Sequence, residues 1–183
     1  NEFYQQLGQG TLAAARRYGG EDFACVLGQE MAGYATGEVF FAAQSLGFRH
    51  SHLDSGGYSY DQKHAEKDVE KAVNFLMDDE PGRCLLSSMV SCLFARGVYN
   101  EDLLAECMRV SGFSESSGNL SGVAEHIRTH RWKLRFATGF KPEEITLPKR
   151  FYKITTWKGK VDASYLDNLK AEYARRIEAL VQA

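Results

Sequence analysis

Apolar side chains recur at helical spacing through most of this 183-residue chain. In two stretches they return every three or four positions, which places them on one face of an α-helix. One stretch carries Ala65, Val69, Ala72, Val73 and Leu76, and the other carries Leu166, Leu169, Tyr173, Ile177 and Leu180. Strand-like alternation is weak by comparison. The pattern predicts a mostly α fold, an irregular bundle of about seven helices, with a short β-hairpin near the N-terminus as an option.

Capping and turn residues divide this pattern into separate elements. Helices are expected at Thr11–Tyr18 and Gly37–Leu46, from Asp61 to a stop at Asp78–Gly82, over Arg83–Arg96, and after caps at Asn100, Ser121 and Ser164. The helix at Gly37–Leu46 is apolar on nearly all sides and is expected to be buried. Phe23–Leu27 is short and apolar and suits a strand. The stretch Gly47–Tyr60, rich in His, Ser, Gly and Tyr, predicts a loop, and loops of this size are often functional.

Composition and charge exclude several broad classes of protein. Hydrophobic residues make up 44% of the chain and charged residues 25%, which argues against disorder. The net charge of -2 gives no sign of a nucleic-acid or membrane partner. No apolar run approaches the roughly 20 residues that cross a bilayer. The N-terminus has no signal-peptide pattern, so a cytoplasmic location is expected. The chain begins with Asn1 rather than Met, and we expect it to be cut or processed from a longer protein.

Positive charge is concentrated in residues 126–160, which hold ten Lys or Arg against only Glu143 and Glu144. Runs of this kind usually form a solvated face. The alternative is a basic face that meets phosphates or an acidic electron carrier, and both interpretations stay open at this point.

The four cysteines, Cys25, Cys84, Cys92 and Cys107, include no closely spaced pair. A self-contained zinc knuckle is therefore excluded, and reduced, buried thiols are the default for a domain of this size. Cys84 and Cys92 flank an apolar stretch, where a thiolate could also ligate an iron of an iron–sulfur cluster. One cysteine holds no cluster alone, so spacing favours structural thiols.

Two histidines in the predicted loop, His50 and His52, stand beside Arg49 and Asp54. Histidine titrates near neutral pH, and a neighbouring carboxylate orients its ring, so the group suits proton transfer. Side chains two positions apart in a loop need not converge, however. A pair of surface histidines is the alternative interpretation.

Six segments match the motifs of one family in the same order. They are Leu7–Gly19 for "LGxGxxxAAxxYG", Gly28–Glu30 for "KGxE", Ser45–Leu53 for a stretch ending in His-Leu, Cys92–Phe94 for the "CxF" after "DxxGLC", Leu147–Phe151 for "LPxRF", and Ala171–Tyr173 for "xEYY". Together they resemble the C-terminal part of the aldehyde:ferredoxin oxidoreductase family. Two positions depart from "DxxGLC": its acidic residue falls on Ser87, and its Gly-Leu falls on Val90 and Ser91.

The resemblance implies a tungsten or molybdenum bis-pterin beside a 4Fe–4S cluster, which oxidise aldehydes to carboxylic acids and reduce ferredoxin. It implies Cys92 as the cluster ligand from this region and His52 as the active-site histidine, with His50 as the fallback. Ser87 and Ser91 fall where the pterin would be contacted. The other cluster cysteines and the pterin cradle would belong to the N-terminal and middle domains of the parent protein, so no cofactor is expected in the isolated chain.

The resemblance also implies one C-terminal helical domain over residues 1–183, with a small N-terminal lobe at 1–33 as an option. Three hypotheses follow. The chain is part of an oxidoreductase and inactive alone, or it is a docking module of that family that lost its chemistry, or it is an unrelated helical domain. The Ser87 departure favours the second, and the shared order of motifs favours the first.

Overall fold

The computed structural model describes residues 1–20, 25–26, 29–30 and 35–182. Within these ranges the chain forms eight α-helices: α1 Glu2–Leu7, α2 Thr11–Tyr18, α3 Glu38–Leu46, α4 Gly57–Lys63, α5 Val69–Ser88, α6 Glu101–Val110, α7 Leu120–Ala137 and α8 Ala163–Gln182. Short 3₁₀ turns lie at Leu93–Ala95, Ser114–Gly118, Pro142–Glu144 and Lys149–Tyr152. The prediction of a mostly α fold is confirmed.

Two small antiparallel hairpins accompany the helices. Strand β1, Cys25–Val26, pairs with β2, Gln29–Glu30, and strand β3, Thr155–Thr156, pairs with β4, Gly159–Lys160. The first is the hairpin expected near the N-terminus. Of the predicted strand at Phe23–Leu27, only the two residues of β1 lie within the described residues.

The core forms around α3, which packs against α4 and α8, while α5 packs against α7 and α8. Every residue of α3 is buried, as its apolar sequence predicts. Large side chains from the other helices surround it, among them Leu76, Trp132, Leu166 and Tyr173. Helices α1 and α2 bury no residue.

The N-terminus of α3 is capped by a side chain from the next helix. Gly37 at the N-cap position has no side chain, and Asp61 of α4 accepts a hydrogen bond from the Phe40 amide at 2.8 Å instead. A Cβ on Gly37 would lie 2.5 Å from Asp61 Oδ1, so only glycine fits there. Asp61 was predicted to start the long amphipathic helix, and this is wrong: α5 begins at Val69, where the Asp68 side chain caps it.

Helix α5 continues through Pro81, so the predicted stop at Asp78–Gly82 is wrong. Proline removes the amide that would bond to the carbonyl of Met77, four residues earlier. In this fold Arg128 of α7 donates to that carbonyl at 2.8 Å. One residue before the proline, buried Glu80 accepts hydrogen bonds from Trp132 Nε1 at 2.9 and 3.1 Å. The contacts of α7 therefore hold the helix together at its weakest point.

The buried helix predicted over Arg83–Arg96 is confirmed as far as Ser88, where it forms the end of α5, and is wrong beyond that residue. Helix α5 ends at Ser88, and Val90 follows with a φ of 55° in the left-handed region, which stops the helix. The chain then forms the 3₁₀ turn Leu93–Ala95, whose Phe94 side chain is 84% exposed. This segment is a surface projection rather than part of the core.

Helices α6, α7 and α8 also begin at side-chain caps. Asn100, Asn119 and Asp162 each accept a hydrogen bond from the amide three residues later, at 2.9, 3.0 and 3.1 Å. The cap predicted at Asn100 is confirmed. Those predicted at Ser121 and Ser164 are wrong, because both residues lie inside the first turn of their helices.

Candidate functional site

A surface cavity of about 340 Å³ brings together Thr36, just before α3, and side chains from four other parts of the chain. It lies between the loop after α3, helix α4, the second half of α5 and the 3₁₀ turn after α5. Its lining mixes basic, aromatic, polar and aliphatic residues: Thr36, His52, Leu53, Tyr58, Gln62, Arg83, Leu93, Phe94 and Arg96. Concave pockets with a few polar groups are the usual binding sites for small molecules. We call this cavity the His52 pocket.

The loop that carries His52 is held in shape by Asp54. The buried Asp54 carboxylate accepts hydrogen bonds from the backbone amides of Arg49 and Ser51, at 2.7 and 3.2 Å, and from Arg49 Nε at 2.7 Å. These contacts close the loop on itself. His52 lies on the outer side of this loop, where it is half-buried and lines the pocket.

His50 lies on the inner side of the same loop and is buried. Its Nδ1 donates to the carbonyl of Ser45 at 2.8 Å, and its Nε2 accepts from Arg135 Nη2 at 2.5 Å. Burial lowers the pKa of His50, and the nearby Arg135 charge lowers it too, although the Ser45 carbonyl acts in the opposite direction. Both ring nitrogens of His50 are engaged inside the fold, so His52 is the better candidate for contact with a ligand.

Cys92 lies on the projection after α5, and its thiol is exposed. The two residues that follow it, Leu93 and Phe94, line the His52 pocket. Cys92 therefore directly precedes two residues of the wall that holds His52, although it is not itself among the lining residues and lies 40 positions after His52 in sequence. The default expectation of four buried thiols is wrong, because Cys107 is exposed as well.

The two predicted pterin contacts, Ser87 and Ser91, lie at the end of α5 and just after it. Ser87 is exposed on the last turn of α5, and Ser91 is half-buried directly before Cys92. The Ser91 amide donates to the carbonyl of Leu86 at 2.9 Å, which closes the end of α5. Their hydroxyls can donate and accept hydrogen bonds but bring no charge to the site.

Two arginines of the pocket, Arg83 and Arg96, were not predicted from the sequence as site residues. Arg96 donates to Tyr58 Oη at 2.7 Å and to the carbonyl of Leu93 at 3.1 Å. Arg83 donates to the carbonyl of Leu53 at 3.3 Å and forms an ion pair with Asp79. The sequence did contain one signal for them: a charged residue stands at each end of Arg83–Arg96, a stretch predicted to be buried. Nothing in the spacing connects Arg96 with Tyr58, which is 38 residues earlier.

Arg83 and Arg96 also border a second cavity of about 490 Å³, between α5, α6 and α7. Its acidic side chains are Asp78, Asp79, Glu101 and Glu125. Three of them are bound to other groups: Asp79 to Arg83, Glu101 to the Ser121 hydroxyl, and Glu125 to Arg128.

Within residues 1–20, 25–26, 29–30 and 35–182, no group of three or more His, Cys, Asp or Glu side chains is arranged to hold a metal ion. Over the same described ranges, none of the helices combines the length and the apolar character needed to span a bilayer.

Fold and site together define a mostly helical protein with a histidine-lined pocket and an exposed cysteine directly before two of the pocket residues. The sequence model described as aldehyde ferredoxin oxidoreductase, domains 2 & 3, matches residues 1–177. Because this match covers nearly the whole chain, the chain belongs to the aldehyde ferredoxin oxidoreductase family, and it corresponds to the C-terminal region of that family. The resemblance seen in the sequence motifs is confirmed. Searches among curated proteins and solved structures gave no significant match.

Proposed function

We propose that this chain is the C-terminal helical part of a tungstopterin or molybdopterin iron–sulfur oxidoreductase, which oxidises aldehydes to carboxylic acids with ferredoxin as electron acceptor. The supporting observation is the shared wall, where His52 and the segment after Cys92 line one pocket in a chain of this family. The N-terminal and middle domains of the parent protein complete the site. A cytoplasmic location belongs to the same proposal.

Cys92 suits the role of one ligand of a 4Fe–4S cluster. Such a cluster needs four thiolates, and three of them would come from a preceding domain. The Cys92 thiol is exposed, so a cluster held by another domain can reach it. Cys84 does not suit this role, because it is buried and Arg131 donates to its sulfur at 2.6 Å. Burial raises the pKa of Cys84 to about 11, which keeps it a thiol.

Ser87 and Ser91 suit neutral hydrogen bonds to a pterin. The family motif has an acidic residue at the position of Ser87, and a hydroxyl cannot supply its charge. We therefore expect the N-terminal domain to hold most of the pterin, with these two serines adding contacts at the end of α5.

His52 suits a role in orienting the substrate. When bound, the metal–pterin and the cluster supply the redox chemistry. An imidazole at the pocket wall can donate a hydrogen bond to an aldehyde oxygen, and it can accept one of the protons released when an aldehyde and water become an acid. The aliphatic and aromatic lining of the pocket excludes water from the rest of the substrate.

Iron analysis of the parent protein tests the proposal, because the chain offers a matched control. Cys92→Ser is expected to lose cluster iron and aldehyde oxidation, since serine is a poor ligand for iron in such clusters. Cys107→Ser changes the other exposed cysteine and is expected to keep both. Unchanged iron and activity in Cys92→Ser would refute the proposal and favour the docking module.

His52→Gln provides a second arm of this experiment. It is expected to keep iron and tungsten while the rate of aldehyde oxidation falls about 100-fold, a typical contribution of general acid–base catalysis. A rate within about twofold of that of the unchanged parent protein would show that His52 takes no part in aldehyde oxidation.

A further inference from the structure

Helix α7 carries two histidines on the face that does not pack into the core. Its buried residues are Leu120, Ala124, Arg128 and Trp132. His126 and His130 are both exposed, and they stand four positions apart, which makes them neighbours on one side of the helix. Their ring centroids lie 4.0 Å apart, with an angle of 37° between the ring planes. The fold therefore holds two imidazoles side by side at the surface.

One of these rings is oriented by the helix backbone. His130 Nδ1 lies 2.9 Å from the carbonyl oxygen of His126, and a carbonyl only accepts hydrogen bonds, so this nitrogen carries the proton of the neutral ring. The lone pair of neutral His130 is then on Nε2. Histidines that bind metals almost always donate their other N–H in this way, which fixes the tautomer and the orientation of the ring.

The surroundings of the two histidines favour an ion that prefers nitrogen ligands. Glu125, next to His126, is paired with Arg128, whose Nη2 lies 2.6 Å from the carboxylate. Lys133, three positions after His130, is exposed and adds positive charge to this side of the helix. Mg²⁺ and Ca²⁺ bind through oxygen ligands and are therefore disfavoured, whereas imidazole suits Zn²⁺, Ni²⁺ and Cu²⁺.

We propose that His126 and His130 chelate one zinc-type divalent ion per chain. The same four-residue spacing supplies two of the zinc ligands in H-E-x-x-H helices. Two protein ligands leave two positions of a tetrahedral ion to water. The ion bridges one turn of α7 in the folded state, so its binding stabilises the helix whose Arg128 and Trp132 hold α5 together. This inference does not depend on the proposed function.

Calorimetric titration of the 183-residue chain with Zn²⁺, in the absence of a purification tag, tests the inference. Cys92→Ser and Cys107→Ser are introduced first, since exposed thiols also bind zinc. One ion is expected per chain. His126→Ala and His130→Ala are each expected to weaken binding about 100-fold, because the second imidazole of a chelate binds at a high effective concentration. Mg²⁺ is expected to give no binding heat.

Two further variants separate chelation from other effects. His64→Gln changes a histidine that pairs with Glu66, and it is expected to bind Zn²⁺ as the unchanged chain does. Leu134→His, added to His126→Ala, restores the four-residue spacing to His130 at a side chain that is 62% exposed, and it is expected to recover most of the affinity.

The melting temperature provides a second measurement. Zn²⁺ at ten times its dissociation constant is expected to raise it by about 4 °C, because the ion binds the folded chain. At the same concentration of Zn²⁺, neither single alanine variant is expected to show this rise. Melting without metal verifies that each variant is folded.

Undiminished zinc binding in His126→Ala or His130→Ala would overturn the inference, and so would its absence from the chain with the two serine substitutions. Loss of binding in His64→Gln would place the ion elsewhere and would overturn it as well. One ion for two chains would show a site shared between copies, contrary to the proposal. An equal rise in melting temperature with Mg²⁺ would indicate a general effect of cations and would also contradict it.

Discussion

Val90 ends α5 in a conformation that β-branched residues rarely adopt. Its φ is 55°, its side chain is 92% exposed, and its amide donates to the Ser87 carbonyl at 3.2 Å. Glycine is the usual residue at this position of a helix end, and the family motif has glycine here. The exposed valine makes no buried contact that compensates for the strain. The strain lies two residues before Cys92, the proposed cluster ligand.

Replacing Val90 by glycine is expected to stabilise the protein. A left-handed conformation costs an L-residue about 1–2 kcal/mol, and glycine avoids most of this cost. We expect Val90→Gly to raise the free energy of unfolding by about 1 kcal/mol, measured by urea denaturation. Val90→Ala, which keeps the Cβ, is the control and is expected to gain less. A glycine variant less stable than the alanine variant would contradict this account of the helix end.

At the scale of elements, α5 depends on α7. Pro81 interrupts the hydrogen bonds of α5, and Arg128 supplies the missing donor to the carbonyl of Met77. Trp132, one turn further along α7, donates to Glu80. Burial raises the pKa of Glu80 to about 7, against the lowering effect of Trp132 and Arg128. A helix that is interrupted by proline, as α5 is, is stable only while α7 is packed against it.

A double-mutant cycle between Pro81 and Arg128 measures this dependence. Arg128→Met leaves the Met77 carbonyl without its donor, and we expect it to cost about 3 kcal/mol of unfolding free energy. In a Pro81→Ala background the new amide reaches that carbonyl, so the same change is expected to cost about 1 kcal/mol less. Effects of Arg128 on Glu80 and on Glu125 occur in both backgrounds and cancel. Additivity within about 0.3 kcal/mol would show that the two residues act independently.

At the scale of the whole molecule, a buried ionic cluster ties distant parts of the chain together. Lys158, between β3 and β4, donates to Asp61 Oδ1 of α4 at 2.6 Å and lies 3.8 Å from Glu38 Oε2 of α3. Glu38 in turn accepts from the amide of Asp162, just before α8, at 2.9 Å. Burial raises the pKa of Asp61, whereas the hydrogen bond from Lys158 lowers it. The cluster fixes the hairpin and α8 against α3 and α4.

Removal of the lysine is expected to destabilise the fold in a pH-dependent way. Lys158→Met leaves the buried Asp61 carboxylate without its cation, whereas Glu38 keeps Lys67 with its Nζ 4.0 Å away, and we expect a cost of about 3 kcal/mol at pH 7. The pKa of Asp61 then rises further, so the folded variant holds a proton that the unfolded chain releases. Its stability therefore falls as pH increases above the ordinary carboxyl range, and the cost is smallest near pH 4.

Urea denaturation at pH 4 and pH 7 measures this difference. Lys160→Met changes an exposed lysine of the same hairpin and is expected to have little effect at either pH. A cost for Lys158→Met that is equal at both values would exclude Asp61 as the titrating group.

Several features of this protein are determined by the sequence alone. The mostly α class follows from helical spacing, which is a property of neighbouring residues. The burial of α3 follows from its apolar residues, and the cap at Asn100 follows from the preference of its side chain for a nearby amide. The motif order also identified the family. In each case the information lies within one segment of chain, so no knowledge of distant contacts was needed.

The tertiary structure decided where α5 ends, what Asp61 does and which residues share the His52 pocket. Local rules end a helix at Pro81, but Arg128, 47 positions later, replaces the lost donor. Asp61 stands at the start of a helical sequence pattern, yet its buried carboxylate caps α3, which lies earlier in the chain. His50 and His52 look equivalent in sequence, and only the packing of Arg135 against the loop separates an internal ring from one at the pocket wall. These outcomes depend on pairs of groups far apart in the chain, whose energies exist only once the helices have packed.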